Sequence, residues 1–232
     1  SCTNMILNTI VAAELGNFAD QMEGSANFRE DMNVWMQKTL KKHKRILFSG
    51  NGYDESWVKE AERRGLLNYR TAPEALVHYD DEKNVALFEK YGILTHQEMT
   101  SRKDILLENY SKVINIEGLT MLQMVTKDIL PACTTYMNEL SKTISHKTEL
   151  GMNLPCDMEE SLLKHISENS CGAYRKLTEL ETALQGVGNV TGEYETAVYY
   201  CEHVLPKMNE LREHVDKLEK MVARKYWTLP TY

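Results

Sequence analysis

The stretch EYETAVYYCEHVLPKMNELREHVDKLEKMVARKY, residues 193–226, decides the fold, because apolar side chains recur along it every three or four residues. This period places them on one face of a helix of about 30 residues. The face consists of Tyr194, Val198, Cys201, Leu205, Met208, Leu211, Val215, Leu218 and Val222. Because the near-heptad spacing persists along the stretch, we expect this helix to pack lengthwise against other long helices.

Two more long helical stretches precede it. The first opens at Thr95, which forms a capping box with Glu98, and Pro131 should kink or interrupt it. Its predicted apolar face contains Leu106, Tyr110, Val113, Ile114, Met121, Met124 and Ile129. The second begins with Asp157 as its N-cap. Its predicted face contains Leu162, Ile166, Ala173, Leu177, Leu180 and Leu184. Short connections between the three stretches predict antiparallel neighbours.

The N-terminal part of the chain is also helical, but in shorter pieces. Apolar periods predict helices over about residues 4–22, 27–46, 54–64 and 81–91, and a capping box at Thr71 and Glu74 opens another. The first of these helices is predicted to have one apolar face. We therefore predict an all-α fold with a smaller helical N-terminal part and a long antiparallel bundle of about three long helices. The expected segments are residues 1–24, 25–94 and 95–232.

The charge balance disfavours nucleic acid and membranes as partners. Thirty-four acidic residues against 27 basic ones give a formal net charge of -7, and such a surface repels polyanions. The densest basic run contains Lys38, Lys41, Lys42, Lys44 and Arg45. It lies on a predicted helix, where a solvated face is favoured over an anion site. No apolar run approaches the roughly 20 residues that span a bilayer, so we expect a soluble, cytoplasmic protein.

Patterns for metal binding or nucleophilic chemistry are weak. The cysteines are Cys2, Cys133, Cys156, Cys171 and Cys201, and the histidines are His43, His78, His96, His146, His165, His203 and His214. An odd number of widely spaced cysteines, without a CxxC pair, disfavours disulfides and zinc and predicts buried or idle thiols. No HxxxH, HExxH or ExxH pair, which could supply metal ligands, occurs in the sequence. Glu210 and His214 are four residues apart, and a surface pair is favoured over a pair of metal ligands. The acidic cluster of Asp80, Asp81 and Glu82 is interpreted as helix capping with a favourable interaction with the helix dipole, and metal binding is the alternative.

Two further features have a structural and a functional interpretation. The loop Ser49-Gly50-Asn51-Gly52 has only a GxG motif, so a tight turn is favoured over a nucleotide-binding loop. The methionines are predicted as adaptable core filler, with a subunit contact as the alternative. We therefore predict no catalytic, cofactor-binding or metal-binding residue in this chain.

Four segments of the chain resemble type III glutamine synthetases, a large bacterial branch of that family. They are Asn8-Thr9-Ile10-Val11-Ala12; Ser49-Gly50-Asn51-Gly52-Tyr53 with Trp57-Val58-Lys59-Glu60-Ala61-Glu62-Arg63-Arg64-Gly65-Leu66; Leu106-Leu107-Glu108-Asn109-Tyr110-Ser111-Lys112; and Tyr226-Trp227 with Leu229-Pro230-Thr231-Tyr232. The segments follow the family's order and extend over nearly the whole chain. The first helix resembles the end of the catalytic domain, and residues 25–232 resemble the helical C-terminal extension of the type III enzymes.

The resemblance implies a parent enzyme that makes glutamine from glutamate, ammonia and ATP with Mg or Mn. It also implies that the catalytic motifs lie upstream of this sequence, so that this fragment is inactive alone. The expected partners are the rest of the parent chain and neighbouring subunits of a ring-shaped homo-oligomer. A stand-alone helical protein-interaction module is the alternative, and a metalloenzyme within the bundle is disfavoured by the missing ligand pairs.

Overall fold

The computed structural model describes residues 2–230, with the side chain of Cys2 left out. Within this range all regular structure is helical and no strand occurs, which confirms the all-α prediction. The α-helices are α1 Cys2–Met22, α2 Phe28–Lys42, α3 Glu55–Arg63, α4 Ala72–Leu76, α5 Glu82–Lys90, α6 His96–Met124, α7 Leu130–Glu149, α8 Asp157–Gly186, α9 Glu193–Tyr199 and α10 Leu205–Met221. Short 3-10 turns lie at Lys44–Ile46 and Val187–Asn189, and π-helical turns lie at Val125–Ile129 and Tyr200–Val204.

The chain divides into two compact units between Lys103 and Asp104. Unit 1 contains α1 to α5 and the first turns of α6, and unit 2 contains the remainder of the long helices. The segment boundaries expected after residues 24 and 94 stay predictions.

Unit 1 has a small core at α5 and the start of α6. Phe88, Leu94 and Met99 are buried there. Met5, Ile6, Tyr79 and Val85 pack against them. Both predicted capping boxes are confirmed in this unit, and each uses a threonine and a glutamate three residues later.

Unit 2 is organised around α8, which packs against α7 and α10. Short connections join these helices in sequence, so neighbours run antiparallel as predicted. The buried residues are Ile114, Val125, Ile129, Cys133, Leu140, Ile166, Ala173, Leu177, Leu180, Tyr200, Val204, Met208, Leu211, Leu218, Val222 and Trp227. This is a continuous bundle core to which all three predicted helical stretches contribute.

Both π turns stand directly before a Leu-Pro pair. The Leu130 N–H donates to the Val125 carbonyl, and the Leu205 N–H donates to the Tyr200 carbonyl. The following residues, Pro131 and Pro206, have no N–H, and a proline ring inside a helix clashes with the carbonyl four residues earlier. A wider turn is a known form of local irregularity in a helix. The interruption expected at Pro131 is therefore confirmed as a π turn.

The last long helix, predicted over about residues 193–226, is present but ends at residue 221. The π turn before Pro206 separates α9 from α10, and α10 ends at Met221, where Val222 has extended backbone angles of φ −74° and ψ 131°. The sequence contained the signal for this break in Pro206, since proline removes a helical hydrogen bond.

Upstream of Pro206 the buried face differs by one residue from the predicted one. The residues of the α9 region in the core are Ala197, Tyr200 and Val204, whereas Val198, Cys201 and Leu205 are partly exposed. These residues form three adjacent apolar pairs, so both choices satisfy a spacing of three or four. Downstream, Met208, Leu211, Leu218 and Val222 are buried as predicted.

The start of α8 also differs from the prediction. Asp157 is the first residue of the helix, and the N-cap is Cys156, which makes no side-chain capping bond. The carboxylates of the first turn nevertheless lie at the helix N-terminus, where the macrodipole favours negative charge.

Candidate interaction surfaces

The residues that the sequence offered for chemistry do not converge in the structure. Across residues 2–230, no group of three or more His, Cys, Asp or Glu residues is placed to hold a metal ion. The predicted surface pair of Glu210 and His214 is wrong, because the Glu210 carboxylate lies 2.8 Å from Lys176 Nζ. His214 Nδ1 instead lies 3.3 Å from Asn169 Oδ1, and burial lowers the pKa of this histidine.

Asp80 lies in a structural clamp of unit 1. Lys103 Nζ donates to both of its carboxylate oxygens at 3.0 and 2.8 Å, and Thr100 Oγ1 donates at 3.0 Å. Burial opposes ionisation of Asp80, but these hydrogen bonds outweigh it and lower the pKa of the carboxyl. The neighbouring Asp81 makes no side-chain capping bond and contacts His78 at 3.2 Å. Asp81 is nevertheless the N-cap residue of α5 and Glu82 lies in its first turn, as the prediction of helix capping implies, whereas Asp80 forms an ion pair with Lys103.

A second clamp joins α7 to the start of α8. Lys147 Nζ donates to Glu159 Oε1 at 2.7 Å and to the Pro155 carbonyl at 3.1 Å. The hydrogen bond from Lys147 lowers the pKa of Glu159. Glu159 is buried, so its negative charge depends on this lysine.

A cluster of four charges joins α8 and α10. Lys176 and Lys207 each form ion pairs with both Glu179 and Glu210, at 2.8 to 3.2 Å. Hydrogen bonds from the two lysines lower the pKa of both carboxyls. Because every charge faces an opposite one, the cluster connects the two helices.

The loop between α2 and α3 is held by aromatic stacking and by one arginine. Phe48 stacks on Trp57 with ring centroids 3.9 Å apart, and the Arg64 guanidinium lies 5.4 Å from the Trp57 ring centroid. Arg64 also donates to the Leu47 carbonyl at 2.9 Å.

The glycine-containing part of this loop forms a turn. Asn51 Oδ1 accepts a hydrogen bond from the Tyr53 N–H at 3.1 Å, which is an Asx turn. The structure thus has a tight turn in this loop, over residues 51–54 and not over the predicted residues 49–52, and it presents a fully exposed Tyr53.

Helix α1 carries apolar residues on two sides, not on the one side that was predicted. Ile6 packs against the core of unit 1. Leu7, Val11 and Leu15, spaced by four residues, follow another face and are 56 to 62% exposed. A helix that is apolar all round is normally buried all round. This was the signal in the sequence, because apolar residues on α1 are too numerous for a single stripe.

The exposed face of α1 adjoins α2 across an apolar groove of about 420 Å³. Phe18 of α1 contacts Trp35 of α2 with ring centroids 4.7 Å apart. The other lining residues are Ile10, Val11, Glu14, Leu15, Met32 and Met36. None of the residues of α2 is buried, although its apolar positions include Phe28, Val34 and Leu40. We call this combined surface of α1 and α2 the α1/α2 face.

Helix α6 likewise exposes residues that the sequence assigned to its packed face. Leu106, Val113 and Met124 are exposed, and Ile116 and Leu119 lie among them. The buried side of the helix is formed by Leu107, Ser111, Ile114 and Val125. The apolar spacing of α6 fits two faces, and the sequence alone assigned only one of them to the core.

None of the helices among residues 2–230 is both long and apolar enough to cross a membrane.

Fold and surface together define an all-α module of two units with large apolar faces exposed on α1, α2 and α6. The profile of the glutamine synthetase C-terminal domain matches residues 31–148, about half of the chain. The chain belongs to the glutamine synthetase family and corresponds to its C-terminal region.

Curated relatives agree with this assignment. A glutamine synthetase of Butyrivibrio fibrisolvens is 39% identical over 88% of this chain and 29% of its own length. A type-3 glutamine synthetase of Dictyostelium discoideum is 30% identical over 98% of this chain and 32% of its own length. A glutamine synthetase of Bacteroides fragilis is 32% identical over 81% of this chain and 26% of its own length. The chain thus spans a third or less of each of these relatives.

Proposed function

We propose that this chain is the helical C-terminal part of a type III glutamine synthetase and that it makes structural contacts without supplying catalytic residues. The parent reaction is the ATP-dependent joining of glutamate and ammonia to form glutamine. The family match and the names of the relatives support this assignment. The lack of a group of His, Cys, Asp or Glu residues that could hold a metal, among residues 2–230, is the reason for proposing a structural role.

The observation that carries the proposal is the second apolar face of α1. Leu7, Val11 and Leu15 leave water only if another surface covers them, and each buried leucine side chain contributes roughly 1.5–3 kcal/mol. Exposed apolar patches of this kind mark protein contacts. The proposed occupant is the preceding part of the parent chain, because this helix resembles the end of the catalytic domain.

The parent's nucleotide and divalent metal are proposed to bind outside this chain. Magnesium in phosphoryl transfer is held by carboxylates together with phosphate oxygens, and the carboxylates of the two clamps and of the charge cluster are engaged by lysines. We therefore assign ATP and Mg or Mn to the preceding part of the parent.

The proposed partners are the rest of the parent chain and neighbouring subunits of a ring-shaped homo-oligomer, in the cytoplasm. The acidic net charge of -7 opposes nucleic acid as a partner.

The test uses the complete parent enzyme with Leu15→Glu. Leu15 is 62% exposed in this chain, so the isolated chain should keep its helical circular dichroism, whereas a buried charge at the proposed contact should weaken the parent. Light scattering should then show loss of ring assembly, or thermal unfolding should occur at a lower temperature. Deletion of residues 25–232 from the parent should likewise reduce ring assembly or lower the temperature of thermal unfolding.

Leu67→Glu is the matched control, because Leu67 is 72% exposed and lies outside the α1/α2 face. Normal assembly and normal thermal stability of the Leu15→Glu parent would contradict the proposal. An equal effect of the Leu67 variant would contradict it as well, since the face would then have no special role.

A further inference from the structure

Unit 2 contains a groove of about 860 Å³ between α6 and α10. Its walls are residues 116–124 of α6 and residues 205–219 of α10, and Trp227, Leu229 and Pro230 complete the lining. At a rise of 1.5 Å per residue, the α10 wall is about 21 Å long, which equals four turns of helix. The groove therefore has the length that suits a helix of about four turns.

The floor of the groove is apolar and rich in methionine. Met121, Met124 and Met208 lie in it beside Ile116, Leu205 and Val215. Methionine side chains are unbranched and polarizable, so they adapt to the surface of an incoming helix. Met124 and Ile116 are exposed in this chain, which leaves apolar area available for contact.

The charged residues of the groove are mainly acidic. They include the carboxylates of Glu117, Asp216 and Glu219 against the single guanidinium of Arg212. Arg212 Nε lies 3.4 Å from Asp216 Oδ2, so its charge is largely balanced within α10. The net negative charge favours an occupant with Lys or Arg beside its apolar face.

Trp227 lies at the groove and serves as a reporter of its occupancy. The side chain is nine-tenths buried at the groove, and its indole nitrogen has no hydrogen-bond acceptor among residues 2–230. Since solvent does not reach this nitrogen, a helix in the groove would change the surroundings of the indole ring without bonding to it.

We propose that this groove binds an amphipathic helix of about four turns, with apolar residues on the methionine floor and Lys or Arg along its edges. This is the helix-in-groove mode of recognition, in which anchors at positions i, i+4 and i+7 enter the floor. The proposal does not depend on the α1/α2 face, because all lining residues belong to unit 2.

The probe is a labelled 18-residue helical peptide of Leu and Lys with all Leu on one face, and the receptor is the complete 232-residue chain. Fluorescence anisotropy should show binding, and the indole N–H resonance of Trp227, assigned with Trp227→Phe, should shift. Ile116→Lys should weaken binding about tenfold or more, as loss of an interface anchor does. The same peptide with Glu in place of Lys should bind more weakly to the wild-type chain.

Ile105→Lys is the matched control, because Ile105 lies on the same helix, is 59% exposed against 63% for Ile116, and does not line the groove. Reversal of the acidic edge with Glu117→Lys and Glu219→Lys should shift the preference to the Glu peptide. The proposal is overturned if the Lys peptide does not bind, if both isoleucine variants weaken it equally, or if the two peptides bind the wild-type chain equally.

Discussion

Units 1 and 2 use similar apolar content in different ways. The core cluster of unit 2 has sixteen buried residues among those described, while that of unit 1 has three. Unit 1 instead exposes large apolar side chains on α1, α2 and the loop that follows. The difference teaches that the amphipathic pattern of a helix determines which of its residues gain free energy from burial. The surface that buries them lies within the unit in one case and outside it in the other.

The largest expected difference between the units comes from truncating one leucine in each. Leu180→Ala in unit 2 removes a fully buried side chain and should lower the free energy of unfolding by about 2–5 kcal/mol. Leu15→Ala in unit 1 should change it by less than about 0.5 kcal/mol in the isolated chain. Urea unfolding followed by circular dichroism measures both. Similar losses for the two variants would break the comparison, because Leu15 would then already be packed.

A smaller effect is expected where two helices approach closely. A Cβ atom at Gly172 of α8 would overlap the imidazole of His214 on α10, so Gly172→Ala should destabilise unit 2 by about 1–3 kcal/mol. Adding His214→Ala should recover part of this loss, which a double-mutant cycle measures. Gly52→Ala in unit 1 is the control, because a Cβ atom at Gly52 would meet nothing within 4 Å. Additive losses at Gly172 and His214 would exclude the proposed overlap.

The smallest expected effect is on the loss of stability of each unit at acidic pH. The pKa of Glu159 is lowered from 4.5 in the folded chain and that of Asp80 from 3.8, so both clamps stabilise the fold fully above these values. Their contribution is lost as the pH falls through each lowered pKa. Glu159→Gln should reduce the acid dependence in unit 2, and Asp80→Asn should reduce it in unit 1, when amide hydrogen exchange is measured for each unit between about pH 2.5 and 5. An unchanged acid dependence in both variants would show that other carboxyls dominate.

Much of the fold could be predicted from the sequence because its signals are local. The capping boxes at Thr71 and Thr95 depend on residues three apart, and the face of α8 has only one apolar stripe. The buried face upstream of Pro206 differs from the predicted one because Ala197-Val198, Tyr200-Cys201 and Val204-Leu205 fit two registers. Periodicity identifies apolar positions and does not reveal which of two possible faces meets the core.

The candidate surfaces could be predicted only in part. Burial depends on which neighbours fold against a helix, and neither Leu15 of α1 nor Ile116 of α6 has a local feature that separates an exposed apolar residue from a core residue. The charges at the groove, by contrast, were visible in the sequence as Glu117, Asp216 and Glu219, but their convergence required the fold to bring α6 and α10 together.

The π turn at Tyr200–Val204 sets the angular phase between α9 and α10. One residue corresponds to about 100° of rotation in an α-helix. A π turn closes over one residue more than an α turn, so it absorbs one extra residue while α9 and α10 keep the phase of a continuous helix. An extra residue inserted within α10 itself, where no π turn absorbs it, would instead rotate the following core residues, such as Leu211 and Leu218, away from α8.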